Sequence, residues 1–420
     1  MRKAYCIAIH VPVFTDGPRC FASSEWHRAL CLLRDSFSNY FNNFIVVAPT
    51  RSVESGAAGV MLEPLGQGDD GFHVRPSLPF EGGKRDYWFG GGRKQWRRDV
   101  AQALTEADVA HTGLGDLYRP INKDALDAAL ARPVTTVFVR DTDEVTKFRN
   151  LIASGLMRNG PDRALYIRMY ERVLHRAVVN ADLTMLKGRT LFDRYEHVAR
   201  NPQMIQDTSY RSSEIVPEET VERRLAARAP GAPLRLVYCG RLVARKGLDH
   251  AISIVARARA KGADVTLDLI GAGDARPALE VQVKGEDLAG SINFLGERAY
   301  GPGLLHMLAA YDGLLFTPLS EDTPRMIFDG YAAGLPLFGY NIPYVKERAQ
   351  VEGATLLLPS NDQEAAAVHL VQAARDPDRI AALTRAAHHA AYANASDVWY
   401  RQRAEWTLEA HERRLQVEHG

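Results

Sequence analysis

The chain has 420 residues, enough for two or three domains of ordinary size. Hydrophobic residues make up 46% of it and charged residues 25%, which excludes a disordered chain, a collagen and a disulfide scaffold. The 52 Lys and Arg residues nearly balance the 51 Asp and Glu residues, and a net charge of +1 creates no overall field that would attract nucleic acid. Four cysteines without a Cys-x-x-Cys pair favour a reducing compartment.

The N-terminus superficially resembles a secretory signal, with Arg2 and Lys3 ahead of an apolar run. That run is short, contains His10 and lacks a small-residue cleavage site after it, so it predicts a buried first strand instead. No apolar stretch reaches the ~18 residues that a membrane span needs. We therefore expect a cytoplasmic protein, with peripheral membrane contact left open.

Short apolar runs alternate with helical patterns along the first half of the chain. A long helix is predicted at 165–180, with one face formed by Leu165, Met169, Val173, Leu174 and Ala177. Residues 50–98 show no sustained period, which is typical of a functional or mobile loop. Strands are predicted at 5–11, 44–48, 109–111, 134–140 and 183–186.

The same alternation continues after a polar connection at 212–233, which includes Pro217 and Pro230. Alternating strands and helices predict parallel sheets covered on both faces, and two such halves predict two doubly wound domains. A last, strongly charged helix is predicted from about Trp399. Strands of the second half are predicted at 235–239, 265–270, 292–295, 313–317, 336–340 and 355–358.

A predicted strand end carries two spaced cations. Gly240 ends the strand, Arg241 and Lys246 follow, and Gly247 opens a helix. Parallel sheets bind ligands outside the carboxyl ends of their strands, and an arginine fork with a lysine beside it could neutralise a diphosphate. The alternative is a solvated turn with unpaired cations.

A second segment, residues 320–336, predicts an anion site at a helix start. Thr323 could cap a helix whose first residue is Pro324, leaving the amides of Arg325 and Met326 directed at the strand ends. Glu321 precedes this helix and Asp329 lies within it, so the two acids could contact different ends of a ligand. The alternative, an acidic helix start favoured by the macrodipole, explains Glu321 but not Asp329.

Together these segments resemble retaining glycosyltransferases of the GT-B fold, specifically glycosyltransferase family 4. The family's Gly-Arg-Leu-x-x-x-Lys-Gly strand end stands at 240–247, and its Glu-x7-Glu motif ending in Ala-x-Gly-x-Pro stands at 321–336. Its two glycine turns match 270–273 and 293–296, and the resemblance covers roughly 233–390.

The resemblance implies a fold and a domain order. The fold is α/β, with two doubly wound Rossmann-like domains facing across a cleft. Residues 1–212 would form the acceptor-binding domain and 213–395 the nucleotide-sugar-binding domain. A C-terminal helix at 396–420 would pack back on the first domain.

The resemblance also implies roles for individual residues. Arg241 and Lys246 would bind the donor diphosphate, Glu321 the hydroxyls of the donor sugar, and the second acid the ribose. That acid is Asp329 where the family has Glu, and Pro324 removes an amide donor that the family usually offers. The catalytic set is then Arg241, Lys246, Glu321 and His111, and the donor-binding set is Gly17, Gly240, Gly271, Gly296, Thr323, Arg325, Met326 and Asp329.

The first half contributes candidates only. Gly17 lies in a loop at 12–24, in the place of the family's glycine-rich loop, and His111 ends a strand as a family histidine does. His111 could approach the acceptor hydroxyl or the donor sugar, or it could be structural. Asp141 and Asp143 look like the metal site of the other glycosyltransferase fold, a reading we discount, and we expect neither metal nor cofactor.

A basic and aromatic segment at 84–98 has three interpretations. It could meet lipid phosphates, stack single-stranded nucleic acid, or be an exposed loop with scattered cations. The neutral total charge makes nucleic acid the weakest of the three.

The predicted function is metal-independent, retaining transfer of a sugar from a UDP- or GDP-linked donor to a hydroxyl. The acceptor would be a glycan, a lipid-linked compound or a small molecule, as in polysaccharide synthesis. One rival is a non-catalytic sugar-nucleotide-binding subunit of a glycosyltransferase complex. The other is an NAD-dependent oxidoreductase, against which Arg276 occupies the third glycine position of the dinucleotide fingerprint.

Overall fold

A computed structural model describes residues 4–56, 60–68, 70–142, 144–153, 157–158, 160–229, 231–319 and 324–419. The chain divides into two compact units. Unit 1 comprises Met1–Gln206 and Trp399–Gly420, and unit 2 comprises Asp207–Val398. No described helix is long and apolar enough to cross a membrane.

Unit 1 is built on a sheet in the order β10-β9-β8-β7-β1-β4-β2-β3-β5, with β6 paired to β4. Its pairs are parallel except for those of β3, which runs antiparallel to β2 and β5. The strands are β1 (Ala4–Ala8), β2 (Val13–Asp16), β3 (Arg19–Ser23), β4 (Asn43–Ser52), β5 (Leu62–Leu65), β6 (Phe72–Pro79), β7 (Val109–Gly113), β8 (Thr135–Arg140), β9 (Leu183–Lys187) and β10 (Pro202–Ile205).

Helices join these strands, and the first begins at a serine cap. The Ser23 hydroxyl accepts a hydrogen bond from the Trp26 amide and satisfies one free donor of the first turn. The helices are α1 (Ser24–Phe37), α2 (Val53–Gly56), α3 (Gly83–Phe89), α4 (Gly92–Leu104), α5 (Ile121–Leu130), α6 (Glu144–Ala153), α7 (Pro161–Asn180) and α8 (Arg189–Tyr195).

Unit 2 contains a parallel sheet in the order β13-β12-β11-β14-β15-β16. The order reverses between β11 and β14, and β14 and β15 are buried along their whole length. The strands are β11 (Leu234–Cys239), β12 (Val265–Ile270), β13 (Ile292–Gly296), β14 (Gly313–Phe316), β15 (Leu337–Tyr340) and β16 (Thr355–Leu358).

The helices of unit 2 are α9 (Glu218–Ala226), α10 (Leu248–Ala260), α11 (Arg276–Gly285), α12 (Pro302–Leu308), α13 (Met326–Ala332), α14 (Pro343–Glu352), α15 (Gln363–Ala374) and α16 (Pro377–Ala393). The polar stretch predicted as a connection contains α9, whose Val221 is buried in the core of unit 2.

The last helix, α17 (Ser396–His419), begins in unit 2 and ends in unit 1. Within unit 1, its His411 Nδ1 lies 2.7 Å from the Thr135 hydroxyl, and Arg414 forms an ion pair with Asp182 at 2.9 Å.

Two predictions about local structure are wrong. Residues 50–98 are not an irregular loop, because β5, β6, α3 and most of α4 lie there. On α7, Leu174 and Ala177 of the predicted face are buried, but its Leu165 and Met169 are 58% and 48% exposed. Tyr166 and Tyr170 are buried instead. The tyrosine rings offer more apolar area, and the Tyr166 ring stacks on Tyr118 with centroids 4.8 Å apart.

Candidate functional site

The loops that follow β11 and β12 touch backbone to backbone. The Gly240 amide donates to the Ile270 carbonyl at 2.9 Å, and the Leu242 amide donates to the Ala272 carbonyl at 2.9 Å. A Cβ on Gly271, whose φ is +135°, would overlap the Gly240 carbonyl oxygen. Glycine is therefore required where these strand ends meet.

Gly296 completes this group of turns at the end of β13. Its carbonyl accepts a hydrogen bond from the Gly271 amide at 2.9 Å. Its φ is +72°, but a Cβ there would meet no atom within 4 Å. Gly240, Gly271 and Gly296 thus lie at one edge of the sheet.

Arg241 and Lys246 lie in the loop after β11, in different environments. Arg241 is exposed and forms no ion pair with a described residue, while its carbonyl accepts from the Tyr238 hydroxyl at 3.0 Å. Lys246 ends a short 3₁₀ turn, is 7% exposed, and holds its Nζ 5.6 Å from the centroid of the Phe316 ring. One cation faces solvent and the other is desolvated.

Two hydrogen bonds join the turn that contains Lys246 to the loop after β14. The Thr317 hydroxyl donates to the Gly247 carbonyl at 2.7 Å, and the Leu319 amide donates to the Arg245 carbonyl at 3.0 Å. Gly247 has a φ of +62°, and a Cβ there would overlap the Thr317 carbonyl oxygen. The cationic loop and the segment leading to residue 320 therefore form one packed edge.

Helix α13 begins later than predicted. Its first residue is Met326, and Pro324 is not part of it. The Ile327 amide donates to the Pro324 carbonyl at 3.4 Å, three residues back, so this stretch is a tight turn rather than α-helix. Glu321 and Thr323, to which sequence analysis assigns sugar binding and the cap, lie outside the described residues.

The side chain of Arg325 is directed elsewhere in unit 2. A guanidinium nitrogen lies 3.3 Å from the Ser209 hydroxyl, and Nε lies 4.0 Å from Asp207. Met326 is buried at 8% exposure. Their backbone amides, not their side chains, are what the predicted anion site would use.

Asp329 is half-buried on α13, and Tyr300 is its partner. The Tyr300 hydroxyl donates to Asp329 Oδ1 at 3.0 Å. Burial, with a smaller contribution from the Asp329 carboxylate, raises the pKa of the Cys239 thiol at the end of β11 to about 12. Sequence analysis missed Tyr300, because no local motif marks it.

In unit 1, Gly17 turns a hairpin instead of lying in an open loop. β2 and β3 pair antiparallel, with Asp16 opposite Arg19, and the φ of Gly17 is +57°. The predicted loop at 12–24 is therefore mostly strand.

His111 is not at a strand end, because β7 continues to Gly113. Its Nδ1 lies 2.9 Å from the hydroxyl of buried Tyr5. Burial, together with the positive charge of Arg403, lowers the pKa of His111 to about 4. The ring is consequently neutral at pH 7, and Tyr5 occupies one of its two nitrogens.

A second histidine, which sequence analysis did not select, follows β1 directly. His10 Nδ1 lies 3.0 Å from Asn122 Nδ2, and burial lowers the pKa of His10. The carboxyl end of a central parallel strand is where ligands of such sheets bind. The position of His10 after β1 could have been the signal.

The basic and aromatic segment folds as α3 and α4, which border a cavity of about 430 Å³. Arg93 donates two hydrogen bonds, of 2.6 and 2.9 Å, to the buried Asp124 carboxylate. The Tyr87 hydroxyl donates to the same carboxylate. Phe89 is 88% exposed and Trp88 is 43% exposed. Part of the segment is thus structural and part faces solvent.

Within the described ranges, no three His, Cys, Asp or Glu side chains gather as a metal site would require. Asp141 is exposed, and Asp143 lies outside those ranges.

Residues 233–376 match the family described as glycosyl transferases group 1. A curated relative, the GtfA subunit of UDP-N-acetylglucosamine–peptide N-acetylglucosaminyltransferase from Streptococcus gordonii, is 23% identical over 162 residues. That match covers 38% of this chain and only 29% of the relative.

The fold of the whole chain is similar to that of solved GT-B proteins. HepE of Anabaena, solved in complex with UDP, has a TM-score of 0.64 at 16% identity, covering 98% of this chain and all of HepE. WaaG, a glycosyltransferase involved in lipopolysaccharide biosynthesis, has a TM-score of 0.57 at 15% identity, covering 96% of this chain and 98% of WaaG.

Proposed function

From the premise that residues 233–376 belong to the glycosyl transferases group 1 and that the chain has the GT-B fold, we propose that it is a retaining, metal-independent glycosyltransferase. It moves a sugar from a nucleotide-diphosphate sugar to a hydroxyl of a glycan, a lipid-linked compound or a small molecule. UDP is the first choice of nucleotide, because HepE was solved with UDP, and GDP is the second.

The observation that carries this proposal is the cationic loop after β11. When the donor's glycosidic bond breaks, negative charge develops on the diphosphate and positive charge on the sugar ring. Arg241 and Lys246 are held ready at the strand end where that charge would develop. Since Lys246 is buried against Phe316, its attraction to a phosphate is less screened than it would be in water.

The remaining roles follow the family resemblance. Asp329, held by Tyr300, would bind the ribose hydroxyls, and Glu321 those of the donor sugar. The amides of Arg325 and Met326 would serve the sugar and the phosphate, and His111 would stay near the acceptor as a neutral ring. Unit 1 would take the acceptor, and retention of configuration is part of the same proposal.

Arg241→Ala tests the proposal. Losing one preorganised charge donor at a developing anion costs about 10²–10³ in turnover. We expect that loss in transfer from a panel of UDP- and GDP-sugars, with an unchanged melting temperature. As a control, Arg257→Ala removes an arginine of α10 that pairs with Glu364 of α15, and this variant should transfer normally. Normal transfer by Arg241→Ala would sink the assignment.

A non-catalytic sugar-nucleotide-binding subunit is the second candidate. Asp329 in place of Glu favours it, as does Pro324, which removes an amide donor that the family usually offers. Calorimetry with nucleotide sugars, followed by an assay for donor hydrolysis, separates the two. Binding without turnover of any donor would favour the subunit.

We also propose a cytoplasmic location in which the turn between α3 and α4 contacts the inner face of a membrane. Phe89 is 88% exposed at this turn, with Lys94 and Arg97 exposed on the helix that follows. An exposed aromatic ring beside cations is the composition that anionic bilayers bind.

Phe89→Ser should weaken co-sedimentation with phosphatidylglycerol vesicles about tenfold, because burying a Phe side chain contributes about 1.5–3 kcal/mol. The matched control is Val281→Ser on α11, which removes an apolar side chain that is 72% exposed. Equal vesicle binding by both variants would refute the contact.

A further inference from the structure

Helix α7 presents a line of arginines to solvent. Arg168, Arg172 and Arg176 are exposed and lie four residues apart, so they share one face at steps of about 6 Å along the helix. Like charges at this spacing repel one another. Met169, on the same side, is 48% exposed.

These arginines border a cavity of about 520 Å³ in unit 1. Its wall also includes Glu171 and His175 of α7 and Arg194 at the end of α8. The volume falls in the range of about 300–1,000 Å³ that holds small ligands. Four arginines and a single glutamate line this space, so it is strongly positive.

Acidic side chains nearby pair with two of the four wall arginines, Arg194 and Arg176, and leave the charges of the other two uncompensated. Glu171 is engaged by Arg194 at 2.7 Å and by Arg149 at 2.8 Å. Asp127 lies 3.6 Å from Arg176 but also binds Lys123 at 2.6 Å.

Arg168, Arg172 and His175 have no hydrogen-bond or ion-pair partner in the part of the chain that the structure describes. Arg168 and Arg172 therefore keep their charge and all their donors available.

We propose that this cavity binds a small anion that carries at least two phosphate groups. Each guanidinium can hold two oxygens of one phosphate, and a second phosphate allows neighbouring turns of α7 to be bridged. Such a ligand also relieves the repulsion along the arginine line. Met169, with Val198 at 41% exposure, offers apolar area to the rest of the ligand. None of these residues belongs to the proposed donor site.

The test is calorimetry of the full chain with inorganic pyrophosphate. The parent carries Arg241→Gln, so that the proposed donor site contributes little to the signal. We expect one pyrophosphate bound per chain, and at least tenfold weaker binding after Arg168→Gln with Arg172→Gln. Arg168→Lys with Arg172→Lys keeps both charges but loses the bidentate guanidinium groups. Its affinity for pyrophosphate should lie between that of the parent and that of the double Gln variant.

The matched control is Lys94→Gln with Arg97→Gln, which removes two exposed cations elsewhere in unit 1 and should bind pyrophosphate like the parent. A second arm uses vesicles that contain cardiolipin, whose headgroup carries two phosphates, with chains that carry Phe89→Ser. Vesicle binding that needs Arg168 and Arg172 identifies a lipid headgroup as the phosphate source, and pyrophosphate binding identifies a soluble one. The proposal would be overturned if the chain bound neither pyrophosphate nor these vesicles. It would also be overturned if the control variant lost as much pyrophosphate affinity as the double Gln variant.

Discussion

At the scale of single residues, burial decides what a charged or titratable side chain can do. Lys246 is a cation enclosed beside an aromatic ring, and Arg241, five positions earlier, faces solvent. His111 is a histidine that burial and Arg403 keep neutral at pH 7. The charge state of a titratable side chain is therefore set by its neighbours in the fold and not by its residue type alone.

His111 makes the stability of unit 1 depend on pH. Its folded pKa of about 4 lies below the ordinary 6.5, so the stabilisation is present above pH 6.5 and is lost as pH falls towards 4. From pH 7 to pH 5 the free energy of unfolding should drop by about 2 kcal/mol through this group. His111→Gln should remove that part of the slope.

Urea unfolding followed by tryptophan fluorescence measures this effect, because the five tryptophans, Trp26, Trp88, Trp96, Trp399 and Trp406, all belong to unit 1. The control is His197→Gln, at a side chain that is 81% exposed, and it should keep the normal slope. An unchanged slope in His111→Gln would contradict the assignment of the pH dependence to this ring.

At the scale of elements, the candidate site is an edge where loops from several strands are packed together. The loops after β11 and β12 join through Gly240 and Gly271, and Gly247 lies against Thr317 after β14. These contacts leave no room for a side chain at two of the glycines. The position of Arg241 and Lys246 therefore depends on the backbone packing beneath them.

Gly271→Ala should destabilise unit 2 more than Gly296→Ala. Both glycines have positive φ, which costs an alanine about 1–2 kcal/mol, but only the Cβ at Gly271 would overlap another backbone atom. Overpacking adds about 2 kcal/mol. The measurement is the thermal unfolding transition that circular dichroism detects but tryptophan fluorescence does not, because all the tryptophans belong to unit 1. Equal transition temperatures for the two variants would show that the loops after β11 and β12 accommodate a Cβ at residue 271 without losing stability.

At the scale of the whole molecule, charge and chain path are arranged unevenly. A net charge of +1 coexists with two exposed basic surfaces in unit 1, one at α3 and α4 and the other along α7. The chain also returns to unit 1 through α17, whose Ala404 and Ala410 join its core.

Ending the chain after Val398 should lower the stability of unit 1 by more than about 3 kcal/mol. The truncation uncovers buried apolar residues, each contributing about 1.5–3 kcal/mol, and removes the bond between His411 and Thr135. Ending it after Leu415 keeps the buried Ala404, Ala410 and His411 and should change little. Unit 1 retains Trp26, Trp88 and Trp96, so fluorescence-detected unfolding compares both chains. Equal midpoints would show that α17 contributes no stability.

Local patterns predicted the strands of unit 2 and the central strands of unit 1, but they missed β2, β3, β5, β6 and β10. Continuous apolar runs such as β14 and β15 are recognisable because a strand buried on both faces needs no other signal. The region 50–98 was misinterpreted because β6 and α4 are stabilised by partners remote in sequence. Trp96, for example, donates to the Ile121 carbonyl at 2.9 Å.

The sequence by itself determined the doubly wound alternation and the order of the glycine, arginine and lysine residues at the end of β11, since both depend on neighbours along the chain. Only the tertiary structure decided which side of α7 is buried. It also decided that Arg93 pairs with Asp124 and that the Tyr300 hydroxyl donates to Asp329. The physical reason is that solvation and pairing depend on groups that meet only after the chain has folded.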